Sequence, residues 1–355
     1  MDLGLEELAA FFDAHRDEAH LVLATVIATG GSTYRKAGAM VLIAADDSHA
    51  GLISGGCLEG DLVQHAAAVF ADGQARRLSY DLNDDPELLM GLGLGCGGDI
   101  HLLLQRLDRE QGFGVLPGAF AAHRRGLDCL LALVTQTGTD LPPGLLARHD
   151  ADGRYSGPPE LQDALARLAS GPGHAGRWQE LATRIAGLDT TLGVLRLAAA
   201  PLVLVCGAGP DAVPLVAQVR ALGWRCVVVD HRPAFARPER FAAGAEVLCL
   251  KPGALAGTVA LQRIDAAVVM THHLGHDEAW LRALLEHRPT YLGLLGPGRR
   301  RRQLAQAIGV DPALIHGPAG LDLGAELPAA IALSVMAEIH AVLNGRDAVT
   351  LSNRG

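Results

Sequence analysis

The stretch LVLVCGAGPDAVPLVAQVRALGWRCVVVD, residues 202 to 230, constrains this chain more than any other. An apolar run, Gly207-x-Gly209-x-x-Ala212, an amphipathic segment, a second apolar run and Asp230 at its end spell a strand, tight turn, helix and strand. In such a unit the glycines allow close approach of a pyrophosphate, the helix N-terminus faces that anion, and the acid accepts hydrogen bonds from ribose hydroxyls. Pro210 removes one backbone donor from the turn, and Pro214 constrains the first helical turn. Downstream, AAVVM, EAWLRALLEHR and YLGLLG continue the alternation of strand and helix. A parallel sheet covered on both faces is expected from about residue 200 to 355.

Ahead of it the pattern differs. HLVLATVIA, AMVLIA, AGLIS and IHLLLQRL read as strands separated by glycine turns, with EGDLVQHAAAVFA as a helix between the last two. This gives a mixed α/β domain over residues 1–160, opening with the amphipathic segment MDLGLEELAAFFDAHRDEAH. LATVIATGGSTYRKAGAMVLI is echoed by LALVTQTGTDLPPGLLARHD, with Gly38 matching Gly144, so residues 127–157 are expected to pair with the first domain as extra strands. Residues 161–199 read as a linker with short helices. The fold class is thus α/β, an N-terminal mixed domain followed by a Rossmann-like parallel-sheet domain.

With 49% hydrophobic and 19% charged residues this is a folded chain, and a net charge of −9 gives no general attraction for nucleic acid or anionic membrane. No apolar run is long enough to span a bilayer, and a cytoplasmic location is expected. Six cysteines form neither a disulfide framework nor a CxxC pair. Cys129, Cys206, Cys226 and Cys249 lie in apolar runs and are expected in cores. Cys57, in SGGCLEG, and Cys96, in GLGCGG, instead follow flexible glycines. Cys57 is expected at the N-cap of the next helix, where unpaired N–H groups lower a thiol pKa, opposed by the nearby charges of Glu59 and Asp61. In THHLGHDEAW, residues 271–280, Thr271 or Asp277 is expected to cap a helix beside solvated histidines, with a zinc or iron site as the sharper alternative. Arg299 to Arg302 open another helix, where they could grip phosphate or simply face solvent.

These motifs together resemble the xanthine dehydrogenase accessory factor family, XdhC/CoxI. The resemblance rests on Gly31-Ser32, Gly38-Ala39-Met40, Ser54-Gly55-Gly56-Cys57-Leu58-Glu59, Gly93 to Gly98, the Rossmann opening, Thr271-His272, Gly293 to Gly296, and GPAGLDLGAELPAAIALSVMAEI near the end. Pro210-Asp211 stand where the family commonly has His-Val, and His231 where many relatives have a second acid. The resemblance implies a chaperone-like protein that binds molybdenum cofactor, as molybdopterin or its dinucleotide form, and protects it during sulfuration. It then delivers the cofactor to a xanthine dehydrogenase-type molybdenum hydroxylase. The implied partners are that hydroxylase and a cysteine desulfurase-type sulfurtransferase, with a homodimer as the expected assembly. Ser54, Gly55, Gly56, Cys57, Glu59, Gly95, Cys96, Gly97 and Gly98 become the candidate cofactor loops, with Cys57 and Cys96 as metal ligands. Gly207, Gly209 and Asp230 are candidates for NAD or another nucleotide. An NAD(P)-dependent oxidoreductase and an adaptor without cofactor affinity are the rival readings, and catalytic turnover is left open.

Overall fold

The computed structural model describes residues 4–56, 58–81, 98–137, 143–171, 178–185, 187–255, 263–350 and 352. The chain divides into two compact units, Met1–Ala199 and Ala200–Gly355.

The first unit is built twice from one plan. Helix α1 (Leu5–His15) precedes β1 (His20–Gly31), β2 (Met40–Ile43), β3 (His49–Gly51), helix α2 (Glu59–Asp72), β4 (Arg76–Asp81) and β5 (Gly98–Asp108). Helix α3 (Leu116–Arg124) then precedes β6 (Cys129–Thr137), β7 (Leu146–Asp150), β8 (Tyr155–Ser156), helix α4 (Pro159–Ala169), β9 (Trp178–Ile185) and β10 (Leu188–Leu197). The first sheet runs β3-β2-β1-β5-β4 and the second β8-β7-β6-β10-β9, the same order in each repeat. The details repeat as well. Gly38 N–H donates to Val26 O at 2.8 Å and Gly144 N–H to Val134 O at 2.9 Å, with φ of 95° and 90° at the two glycines. A bulge falls one residue after Val26 in β1 and one residue after Val134 in β6.

The second copy does not extend the first sheet but forms its own. Residues 161–199 are not a linker, since β9 and β10 pair with each other and β10 pairs with β6. The physical reason lies in β9, an edge strand whose Glu180 and Arg184 face solvent, so WQELATRI lacks the apolar run that marks a buried strand.

Both faces of β1 are covered, which explains its near-continuous apolar sequence. Val22, Ala24 and Val26 pack with Leu62, Ala66 and Val69 of α2 on one side. Leu21 and Leu23 meet Leu8 and Phe12 of α1, Phe120 of α3, and Leu131 and Leu133 of β6 on the other. Leu161 and Leu165 of α4 close the far face of the second sheet against Leu130, Ala132 and Val134. The inner core is therefore shared by both repeats, and each buried leucine contributes roughly 1.5–3 kcal/mol to it.

The second unit holds a parallel sheet, β13-β12-β11-β14-β15, made of β11 (Leu202–Cys206), β12 (Arg225–Asp230), β13 (Ala245–Cys249), β14 (Ala266–Val269) and β15 (Tyr291–Leu294). Helices α5 (Ala212–Ala221) and α8 (Pro328–Leu343) pack on one face, and α6 (Leu274–His287) and α7 (Gly298–Ile308) on the other. The strand order turns at β11, which pairs with β12 on one side and β14 on the other, the kind of switch point beyond whose carboxyl ends open α/β sheets bind ligands. Cys129, Cys206 and Cys226 are buried as expected, but Cys249 is exposed near the sheet edge. Burial pushes the thiols of Cys129 and Cys226 up to about 12, which leaves them unreactive.

Candidate cofactor-binding loops

The SGGCLE turn, between β3 and α2, is organised by its own acid. Glu59 is 3% exposed, yet both carboxylate oxygens are engaged. Oε1 accepts from the N–H groups of Ile53 and Ser54, each at 2.9 Å, and Oε2 accepts from Ser54 Oγ at 2.6 Å and Gly56 N–H at 3.0 Å. Ser54 Oγ in turn accepts from Leu58 N–H at 2.8 Å. Burial pushes the Glu59 carboxyl up, but the hydrogen bonds from Ser54 and Ile53 outweigh it and hold the group below its ordinary value. Gly55 and Gly56 have φ of 81° and 105°, a conformation L side chains rarely adopt, so the turn needs glycine at both places.

This geometry changes the reading of the loop. Glu59 wraps the turn around its own carboxylate, at which the N–H groups of Ile53, Ser54 and Gly56 point. A phosphate could take those donors only by displacing Glu59. The helix N-cap is Leu58 and not Cys57. Cys57 itself, with Gly95, Cys96 and Gly97, lies outside the described residues. Gly98 opens β5 and packs so closely on the end of β1 that a Cβ there would lie 2.5 Å from Gly30 O and 2.9 Å from Ser32 O. Tyr34, exposed on the β1–β2 turn, lies about one van der Waals contact from the Gly55 position. Ser54, Gly55, Gly56, Glu59 and Gly98 thus gather at one end of the first sheet.

In the second unit, Gly207 has φ of 116°, and a Cβ on it would lie 2.7 Å from Met270 O, whereas the Gly209 position faces open space. Asp230 stands at the end of β12 as expected, but its oxygens are taken. Oδ2 accepts from Ala208 N–H and Arg232 Nη2, each at 2.8 Å, and Oδ1 from Arg232 N–H and Nε, each at 2.9 Å. Burial raises its pKa, but these hydrogen bonds prevail and hold it at about 2. Arg232 also lies over the Phe235 ring, 3.9 Å from its centroid. The acid expected to meet a ribose is therefore tied to the glycine turn and to an arginine two residues on. The Asp-x-Arg spacing was the available signal.

The histidine loop is also used internally. His273, not Thr271 or Asp277, caps α6, its side chain accepting from His276 N–H. Asp277 is fully buried and receives Thr271 Oγ1 and the guanidinium of Arg300, whose Nη2 lies 2.6 Å away. One arginine of the run is thus committed to the core of its own unit. His276 lies between His231 and His273, with ring centroids 4.1 Å and 4.4 Å away, while His272 pairs with Asp211 at 3.5 Å. Burial, and then the charges of His231 and His273, hold His276 below its ordinary pKa. Among the described residues these histidines do not converge as a metal-ligand group; the group that does is His15, Glu18 and Asp46 in the first unit. Sequence reasoning also missed Glu338 of α8, which accepts from Tyr291 Oη and Gly320 N–H, each at 2.7 Å, and pairs with His316 at 2.9 Å.

Residues 14–81 match the model of the XdhC and CoxI family, and residues 203–339 match that of the XdhC Rossmann domain. A protein of Bacillus subtilis (strain 168), named as a probable subunit of xanthine dehydrogenase, is 29% identical over 91% of this chain and 93% of its own length. The molybdenum cofactor insertion chaperone PaoD of Escherichia coli (strain K12) is 23% identical over 90% of this chain and 83% of its own. A crystal structure described as a xanthine dehydrogenase from Bacillus halodurans superposes with a TM-score of 0.77 at 28% identity, covering 99% of this chain and 98% of that one. Among the described residues no helix is long and apolar enough to cross a membrane.

Proposed function

The chain belongs to the XdhC and CoxI family, and from that premise we propose that it is a cytoplasmic chaperone of molybdenum cofactor. It receives the cofactor at the loops of the first unit, shields it while sulfur is installed by a cysteine desulfurase-type sulfurtransferase, and hands it to a xanthine dehydrogenase-type hydroxylase. The observation that carries this reading is the turn from Ser54 to Glu59. Its acid fixes the backbone on both sides of Cys57 at the head of α2 without any outside partner. Such a turn is set before a ligand arrives, so little ordering cost falls on binding. A thiolate at Cys57, joined by Cys96, is a soft donor suited to a molybdenum centre or to a sulfur in transit. The PaoD relative, named an insertion chaperone, supports the same role. The engagement of Asp230 by Ala208 and Arg232 weighs against a nicotinamide oxidoreductase that relies on this acid for ribose.

Protein purified without air is expected to carry molybdenum and pterin, and to activate a cofactor-free hydroxylase. Cys57→Ala should fold normally and lose most of the bound molybdenum, and Cys96→Ala should show a weaker defect of the same kind. Normal cofactor retention and normal activation by both variants would overturn the thiol assignment. Reduction of NAD or NADP by a substrate would favour the oxidoreductase.

A further inference from the structure

The two repeats of the first unit can be compared position by position. Val26 pairs with Leu102 and Val134 with Leu192, each just before a bulge, which sets the alignment. Ser79 of β4 then corresponds to Ala182 of β9, His101 of β5 to Thr191 of β10, and Asp99 to Asp189. In the first repeat the three side chains are joined. Ser79 Oγ lies 2.8 Å from His101 Nδ1, and His101 Nε2 lies 3.0 Å from Asp99 Oδ2. An ionised carboxylate can only accept, so the ring proton sits on Nε2, Nδ1 is left as a base, and the Ser79 hydroxyl is the donor to it. Gly30, directly opposite Asp99 in the register, makes room for this arrangement, because a Cβ there would collide with the Asp99 carboxylate. The second repeat forms the same strands with alanine and threonine in place of the serine and histidine. The sheet therefore does not require the relay, and its presence in one copy needs another reason.

We propose that Ser79 is a base-activated nucleophile toward acyl or phosphoryl centres, with His101 as its base and Asp99 as the residue that positions His101. Ser79 is exposed and the other two are partly exposed, so a substrate can reach the hydroxyl. As the oxygen attacks, its proton passes to His101 Nδ1, an O–C or O–P bond forms, and the leaving group departs with its electron pair. His101 then returns the proton to the leaving group, and water releases the serine by the same steps in reverse. This proposal does not depend on the cofactor reading.

The test uses the full-length protein and an alkyl fluorophosphonate, in which the serine oxygen displaces fluoride, followed by peptide mapping. Ser79 is expected to be modified faster than Ser32 or Ser54 in the unaltered protein. His101→Thr should slow labelling by about a hundredfold, within the range of general-base assistance, and Asp99→Asn by about tenfold because it only positions the base, while Ser79→Ala removes it. Alanine and threonine are the residues of the second repeat, so Ser79→Ala and His101→Thr should melt at the unaltered temperature. A purely structural relay would change melting without selective labelling. Absence of labelling at Ser79, or an equal rate in His101→Thr, overturns the proposal.

Discussion

Glu59 is the residue on which the candidate loop depends. Its charge is buried and satisfied by the N–H groups of Ile53, Ser54 and Gly56 and the hydroxyl of Ser54. Glu59→Gln keeps the shape but replaces an acceptor with an amide that would meet N–H donors. The expected cost is about 2–3 kcal/mol, read as a lower urea midpoint, together with weaker cofactor retention although Cys57 is intact. The sequence pointed to the turn through its glycines and to the helix after it. It did not reveal what the acid does, because an acid beside a cysteine reads equally as a nearby charge, and only the folded turn brings the Glu59 carboxylate back under Ser54. The surroundings of Asp230 were hidden for a related reason. Its place at the end of β12 was legible, whereas its occupation by Arg232 depends on how the chain turns after the strand.

Among the elements, β9 and β10 were the ones hidden from sequence. Both belong to the repeat, yet the apolar-run test finds β6 easily and misses β9, whose outward residues include Gln179, Glu180 and Arg184. β10 carries a second disguise in Gly193, which looks like a break. The structure gives it a packing role, since a Cβ at Gly193 would overlap the indole of Trp178 from the neighbouring strand. Gly193→Ala is therefore expected to force the indole aside and destabilise the first unit by about 1–3 kcal/mol, visible as a shifted Trp178 emission and a lower melting temperature. The strands β11, β12, β14 and β15 were legible because they are apolar and buried, with Gly207 and Gly209 in the expected order after the first.

For the whole molecule, acid is a lever on the second unit. The Asp230 pKa lies near 2, below its ordinary 3.8. A depressed carboxyl contributes stability that is complete above the ordinary value and is lost as pH falls through the folded value. About 2 kcal/mol should therefore disappear between roughly pH 4 and pH 2. Urea melts of the unaltered protein at pH 7 and pH 3, set beside those of Asp230→Asn, should show a smaller pH difference in the variant; an equal difference would mean that other carboxylates carry it. The repeated plan of the first unit has a separate implication. Leu8 and Phe12 from one copy and Leu131 and Leu133 from the other meet in a single inner core, so neither half can keep its apolar face dry alone. An ancestor with one copy would have had to pair with its twin across that same face. Each copy thus seals the other's inner face, and deleting either would leave Leu131 and Leu133, or Leu8 and Phe12, open to water.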